Sequence, residues 1–186
     1  DDYDSDAKLL NIIADPTKFK CSIILLLVEH AAIIALAVTL FVAFGSYNVP
    51  LGIVWIIFRT GDGLVQFYSE ISYWRLLGLA RQYQVADDNE RRALGASGRL
   101  ILAKKNTRFT LAMVLFGIGT LAYSSVCVTY GLVPFIIGWM GIIIGALDVA
   151  GSGIRLAKPK FVALAYIGGL LTLIFEAVIG GWLLFE

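Results

Sequence analysis

Residues 109–154 have the sequence FTLAMVLFGIGTLAYSSVCVTYGLVPFIIGWMGIIIGALDVAGSGI, in which Asp148 is the single charged side chain. The stretch consists of two apolar runs, 109–130 and 133–154, joined by Gly131 and Leu132. Each run can cross the roughly 30 Å hydrocarbon core of a bilayer, which takes about 20 helical residues at 1.5 Å each. The uncharged connection and Pro134 therefore predict a tight hairpin between two transmembrane helices.

Three further apolar runs extend this pattern to the rest of the chain. Hydrophobic residues make up 59% of the sequence and charged residues 16%, whereas soluble domains have about 45–50% and roughly 25%. We therefore predict an all-α integral membrane protein with a bundle of five transmembrane helices. The acidic segment 1–20, which can lie at the membrane interface, precedes a single transmembrane domain, 21–186. The predicted spans are 21–44, 52–77, 109–130, 133–154 and 161–185.

The basic residues outside these spans predict the orientation of the chain. They lie before residue 21, in loop 81–108 and between residues 155 and 160, whereas the two hairpin connections carry no charge. The positive-inside rule places the N-terminus and loop 81–108 in the cytoplasm and the C-terminus outside. Within this loop, residues 82–105 are compatible with a basic amphipathic helix on the inner surface, capped by Asp87 or Asp88, or with a solvated connector.

Ionisable residues within the apolar runs are the candidate functional residues. Each costs about 2.5–3.5 kcal/mol near the centre of a transmembrane helix, so we expect them to face the bundle interior and to have partners. Four polar residues of the second span project within a sector about 80° wide at 100° per residue. The predicted intramembrane polar network or ion and proton site comprises Glu29, His30, Arg59, Asp62, Gln66, Glu70, Asp148 and Glu176.

Depth along each span suggests which of these side chains meet. Arg59 and Asp62, at i and i+3, can pair with each other, and Glu176 lies at the depth of Arg59. We expect Glu29 and His30 near Asp62, and Asp148 closer to Glu70. Such a network can transport protons or cations, or it can fix the register of the helices.

Other sequence features concern packing and excluded chemistry. Gly141, Gly145, Gly168 and Gly169 favour close helix packing. His30 is the only histidine, which argues against bis-histidine haem ligation and histidine-based metal sites. Motifs for nucleotide hydrolysis and common hydrolases are absent, and membrane orientation explains the basic loop without nucleic acid. We therefore expect no catalytic residues, no metal and no cofactor other than bound lipid.

The run from Leu111 to Gly151, with its apolar helix, Leu-x-Pro turn and glycine-rich helix, resembles a family of prokaryotic membrane proteins catalogued as domain of unknown function 4386. The ending FEAVIGGWLLF, 175–185, resembles the last helix of that family, with Glu176, Trp182, Leu183 and Leu184 matching its pattern. The resemblance covers the C-terminal two fifths of the chain. It implies a multi-pass protein of a prokaryotic cytoplasmic membrane and no known activity.

Three functional hypotheses follow from the sequence. The first is a non-enzymatic membrane protein, either an accessory or structural subunit or a self-associating bundle, whose partners are membrane lipids, copies of itself or other membrane subunits. The second is a small proton- or cation-linked transporter or channel that uses Glu29, Asp62, Glu70 and Asp148. The third is a quinone-binding or other membrane-enzyme subunit in which His30, Glu29 and Tyr73 line the pocket.

Overall fold

The computed structural model describes residues 5–158 and 163–185, without the side chains of residues 165 and 166. Within these residues the secondary structure is entirely helical, as the composition predicts. The described helices are α1 (Ser5–Ala14), α2 (Pro16–Phe44), α3 (Val49–Tyr73), α4 (Arg75–Val85), α5 (Asp88–Tyr130), α6 (Phe135–Ala157) and α7 (Ala163–Phe185).

Polar side chains determine where three of these helices begin. The Oδ1 atom of Asp15 accepts the backbone N–H of Lys18 at 2.8 Å, and Pro16 occupies the first helical position of α2. Asn48 accepts the N–H of Leu51 at 3.2 Å at the start of α3. These side chains satisfy amide groups that have no partner within the first helical turn.

Asp87 caps α5, the helix that contains most of the predicted loop 81–108. The Oδ1 atom of Asp87 accepts the N–H groups of Asn89 and Glu90 at 3.0 and 2.8 Å, which confirms the predicted Asp cap. Residues 88–108 form the first half of α5, so the helical alternative is confirmed there and the solvated connector is not. The continuation of this helix into the third span was not predicted, because hydropathy locates the edge of an apolar run and not the end of a helix.

Several helices have the length and apolar composition that a membrane span requires, and the number of five spans stays a prediction. In the described part of the chain, α2, α5, α6 and residues 167–185 of α7 are long and apolar enough to cross a membrane. The chain is thus an all-α, multi-pass membrane protein. The predicted span 52–77 is interrupted at Trp74, where α3 ends and α4 begins. At about 37 Å, α3 is long enough to be the fifth span, but its charges keep it outside this group.

The described residues form two compact units, and the boundaries lie within α2, α3 and α5. Unit 1 contains the chain up to Ala32 together with Leu64–Phe109, and unit 2 contains Ile33–Gly63 together with the chain from Thr110 onward. In unit 1, Leu9 and Ile12 of α1 are buried in one apolar cluster with Leu76 of α4. Most of the predicted acidic segment 1–20 is thus helical, while Asp1, Asp2 and Asp4 lie outside the described residues.

Unit 2 contains the predicted hairpin between α5 and α6. Gly131 has a φ angle of +63°, which a glycine adopts without the steric cost of a side chain, and the N–H of Leu132 donates to the carbonyl of Cys127 at 3.0 Å. This arrangement ends α5 in a Schellman motif. Pro134 precedes the first residue of α6 instead of lying in its first turn. The core of this unit includes Trp55, Tyr123, Ile144 and Phe175.

Candidate functional site

Arg59 lies at the centre of a buried polar network in unit 2. Its Nη1 atom is 3.3 Å from Oδ2 of Asp62, one turn further along α3, and its Nη2 atom is 3.5 Å from Oε1 of Glu176 on α7. The side chains of Arg59 and Asp62 are 5% and 1% exposed, so their pairing is shielded from solvent. Both predicted ion pairs of Arg59 are confirmed.

Two aromatic rings lie near the Arg59 guanidinium, and a glycine lies against the aliphatic part of its side chain. Its Cζ atom lies 4.3 Å from the ring centre of Phe116 and 5.6 Å from that of Trp55, distances at which a cation is attracted to the π face. The indole N–H of Trp55 donates to the carbonyl of Ala37 at 3.0 Å, which fixes the ring. A Cβ atom at Gly119 would lie 2.8 Å from Cγ of Arg59. These contacts could not be predicted from the sequence, because an apolar residue in a span does not indicate what it contacts.

A stripe of α7 holds the second part of the network. Gly168, Thr172 and Glu176 follow one another at intervals of four residues and therefore share a helix face. The hydroxyl of Thr172 donates to Oδ2 of the buried Asp148 at 2.6 Å, and a Cβ atom at Gly168 would lie 2.5 Å from Oδ1 of Asp148. We call Arg59, Asp62, Asp148, Thr172 and Glu176 the Arg59 network.

A separate cluster in unit 1 contains Glu70, Tyr73 and Lys105, and we call it the Glu70 cluster. Nζ of Lys105 is 2.7 Å from Oε1 of the buried Glu70 and 3.8 Å from the ring centre of Tyr73. Lys105 thus neutralises Glu70, whereas Thr172 binds Asp148, and the expectation that Asp148 lies closer to Glu70 stays a prediction. Lys105 had been assigned to the loop, but it lies about one turn before the predicted span and its long side chain reaches Glu70.

Glu29 and His30 point to different environments, because His30 is buried and Glu29 is exposed. His30 is 3% exposed, whereas the Glu29 side chain is 57% exposed, and Nδ1 of His30 is 4.0 Å from Oε2 of Glu29. The placement of Glu29 in the interior was wrong, because neighbouring helical residues point about 100° apart. Neither ring nitrogen of His30 has a hydrogen-bond partner among the described residues. Gln66 is half-buried on α3.

The predicted packing glycines have different environments. A Cβ atom at Gly145 would lie 2.9 Å from the carbonyl oxygen of Gly117, and one at Gly141 would lie 2.8 Å from Cζ of Phe175. Gly141, Gly145 and Gly168 thus allow close packing, as predicted. Gly169 does not, because no described atom outside its own helix backbone lies within 4 Å of its virtual Cβ. It follows Gly168 directly and faces away from the contact.

These arrangements neutralise charge rather than assemble reactive groups. Within residues 5–158 and 163–185, no group of three or more His, Cys, Asp or Glu side chains is placed to hold a metal ion. The guanidinium of Arg59 binds two carboxylates, Lys105 binds one, and a hydroxyl satisfies Asp148.

Comparison with known proteins assigns the sequence to a family. The family model described as Domain of unknown function (DUF4386) matches residues 1–186. The chain belongs to this family. The search of curated proteins found no match, and the search of solved structures found none either. The DUF4386 match extends the resemblance seen at the C-terminal two fifths to the whole sequence, including the residues of the Arg59 network and of the Glu70 cluster.

Proposed function

We propose that this DUF4386 protein is a non-enzymatic, self-associating membrane protein or membrane subunit. Its buried polar network fixes the packing of the helices, and its apolar exterior binds lipids and other membrane proteins, including copies of itself. The observation that carries the proposal is that four deeply buried charged or acidic side chains, Arg59, Asp62, Glu70 and Asp148, have partners within their own unit. Arg59 pairs with Asp62 and Glu176, Glu70 pairs with Lys105, and Asp148 is bound by Thr172.

Magnitudes support a structural role for these pairs. An unpartnered charge near a helix centre costs about 2.5–3.5 kcal/mol, so α3 with three charges needs partners from other helices in order to insert stably. Glu176 on α7 and Lys105 on α5 are such partners. Because the pairs that Glu176 and Lys105 make with α3 each join two helices, these pairs favour one arrangement of the helices over others.

The exterior supports association with other membrane proteins. Glu29 lies exposed on α2 beside Leu25 and Val28, which are 68% and 61% exposed. A carboxylate that faces lipid within an apolar helix is costly, and contact with a hydrogen-bond donor of another membrane helix reduces the cost. Glu29 is therefore the residue through which we expect a neighbouring subunit or a second copy to dock.

The proposal includes a location and an orientation. We assign the protein to a prokaryotic cytoplasmic membrane with five spans, the N-terminus in the cytoplasm and the C-terminus outside. The supporting observation is the placement of the basic residues, which are concentrated in and around residues 81–108 and are absent from the connections after α2 and α5.

The test is the native mass of the complex extracted in mild detergent. We expect an assembly larger than one 20.3 kDa chain, and we expect Glu29→Leu to shift it toward smaller species. Glu90→Gln, which alters an exposed carboxylate at the start of α5, serves as the control and should leave the mass unchanged. A lone monomer without copurifying protein would contradict the proposed association.

Ion transport is the second candidate, and one observation favours it. The Arg59 network contains three carboxylates and one guanidinium, and the Glu176 side chain is 44% exposed. Surplus carboxylates that reach the exterior are typical of proton and cation pathways. Reconstituted vesicles should then show flux under a pH or potential gradient, and Asp148→Asn should abolish it. Absence of flux from vesicles that hold folded protein would leave the structural role.

A further inference from the structure

A groove between the ends of α1 and α2 is a second feature of unit 1, separate from the Glu70 cluster. It has a volume of about 540 Å³, which lies within the usual range of about 300–1,000 Å³ for small-molecule sites. In the described part of the chain, its wall is made by residues between Lys8 and Ser22, so the junction of two consecutive helices forms it. The lining side chains include Lys8, Asn11, Asp15, Lys18 and Phe19.

The polar lining of the groove suits an anion. Lys8 and Lys18 contribute two positive charges against the single carboxylate of Asp15, whose Oδ1 atom already accepts the backbone N–H of Lys18. No ion pair within 4.0 Å found among the described residues involves Lys8 or Lys18. Asn11 adds an amide group that can donate hydrogen bonds. A phosphate can use all three side chains as donors.

The apolar surroundings of the groove favour a phosphate that belongs to a lipid. Phe19 forms part of the groove and packs against Tyr73 with ring centres 5.4 Å apart, and Nζ of Lys8 is 5.8 Å from the Tyr73 ring centre. Directly after the groove, α2 becomes an apolar helix long enough to cross a membrane, and it exposes Ile24 and Leu25. An anion bound at this position has an apolar helix face next to it on which acyl chains can lie.

We propose that the α1–α2 groove binds the phosphate headgroup of an anionic phospholipid, with Lys8, Asn11 and Lys18 as its ligands and the exposed face of α2 against its acyl chains. The site is distinct from the Arg59 network and does not depend on the function proposed for that network. It requires only that α2 enters the bilayer, so that residues 15–22 lie near the headgroups.

The test is native mass spectrometry of the full chain in detergent during titration with phosphatidylglycerol, and in parallel with phosphatidylcholine. A solvent-exposed ion pair contributes up to about 1 kcal/mol, which changes binding about 5-fold, so loss of both phosphate contacts in Lys8→Gln with Lys18→Gln should weaken retention of phosphatidylglycerol up to roughly 25-fold. The matched control is Lys20→Gln, which lies two residues after Lys18 on the same helix and outside the groove. It should change retention less than 2-fold.

Three outcomes would overturn the proposal. A loss of about 5-fold in Lys20→Gln, equal per charge to that in the groove variant, would show diffuse attraction to basic residues instead of a site. Equal retention of phosphatidylglycerol by the wild type and the groove variant would show that the two lysines do not bind it. Complete displacement of bound phosphatidylglycerol by millimolar inorganic phosphate would show that the groove is a site for free anions. The helical signal in far-ultraviolet circular dichroism checks that each variant is folded.

Discussion

At the scale of single residues, Arg59 shows why a membrane interior accommodates a guanidinium. The planar group carries five N–H donors, so it serves Asp62 and Glu176 at once while its face remains available to Phe116. A lysine ammonium is a compact point charge and cannot occupy the same three contacts. Replacement of Arg59 should therefore weaken the packing of both α3 and α7.

We predict that Arg59→Gln lowers the free energy of unfolding by about 3–5 kcal/mol, because it leaves Asp62 and Glu176 without their cation. Arg59→Lys should cause a smaller loss, since the charge remains but the two-sided geometry does not. The measurement is SDS titration of the protein in micelles, followed by circular dichroism. Arg92→Gln, on the exposed start of α5, is the control. Equal stability of Arg59→Gln and the wild type would mean that the ion pairs contribute nothing.

At the scale of helices, close approach of α5 and α6 depends on paired small residues. The carbonyl oxygen of Gly145 lies 2.8 Å from a virtual Cβ at Gly117, and the carbonyl oxygen of Gly117 lies 2.9 Å from one at Gly145. Both neighbours are backbone atoms, which cannot move away as a flexible side chain can. Packing between membrane helices relies on such contacts, because lipid tails compete equally well for apolar side chains.

We predict that Gly145→Ala lowers the free energy of unfolding by about 1–3 kcal/mol through overpacking, whereas Gly169→Ala leaves it unchanged or raises it slightly. The two substitutions are chemically identical and both lie within helices, so the difference reports only on the space around each glycine. The SDS titration described for Arg59 measures both. Equal effects at the two positions would show that α5 and α6 are not held at this distance by Gly145.

At the scale of the whole molecule, the membrane topology depends on whether α3 crosses the bilayer. Four helices satisfy length and composition among the described residues, and α3 satisfies length. Its charges are matched by Glu176 in unit 2 and by Lys105 in unit 1, so the cost that excludes it on composition alone is offset by tertiary contacts. We therefore expect α3 to be the fifth span.

Single-cysteine labelling tests this topology. In a background of Cys21→Ala and Cys127→Ala, Ser46→Cys before α3 and Asn89→Cys after α4 should react with a membrane-impermeant maleimide from opposite sides. Residue 89 should be protected in intact cells and residue 46 should be labelled. Labelling of both residues from the same side would show that α3 does not cross, and it would also remove the predicted outside location of the C-terminus.

Several features of this protein could be predicted from the sequence because they depend on local composition. Apolar runs gave the helical membrane class, Asp87 and Gly131 marked helix ends, and the spacing of Arg59, Asp62 and Glu176 gave the central ion pairs. Each of these follows from periodicity, rise per residue or a backbone preference, which neighbouring residues determine.

Other features were decided only by the tertiary structure. Packing gives Asp148 the hydroxyl of Thr172 and gives Glu70 the ammonium of Lys105, contacts that were not predicted, and it leaves Glu29 exposed beside the buried His30. Hydropathy placed the start of the third span at residue 109, whereas the helix α5 already begins at Asp88. The sequence by itself determines which residues need a partner, because the cost of an unpaired charge belongs to the residue. Which partner each one obtains depends on the rotation and spacing of neighbouring helices, and only the packed chain sets these.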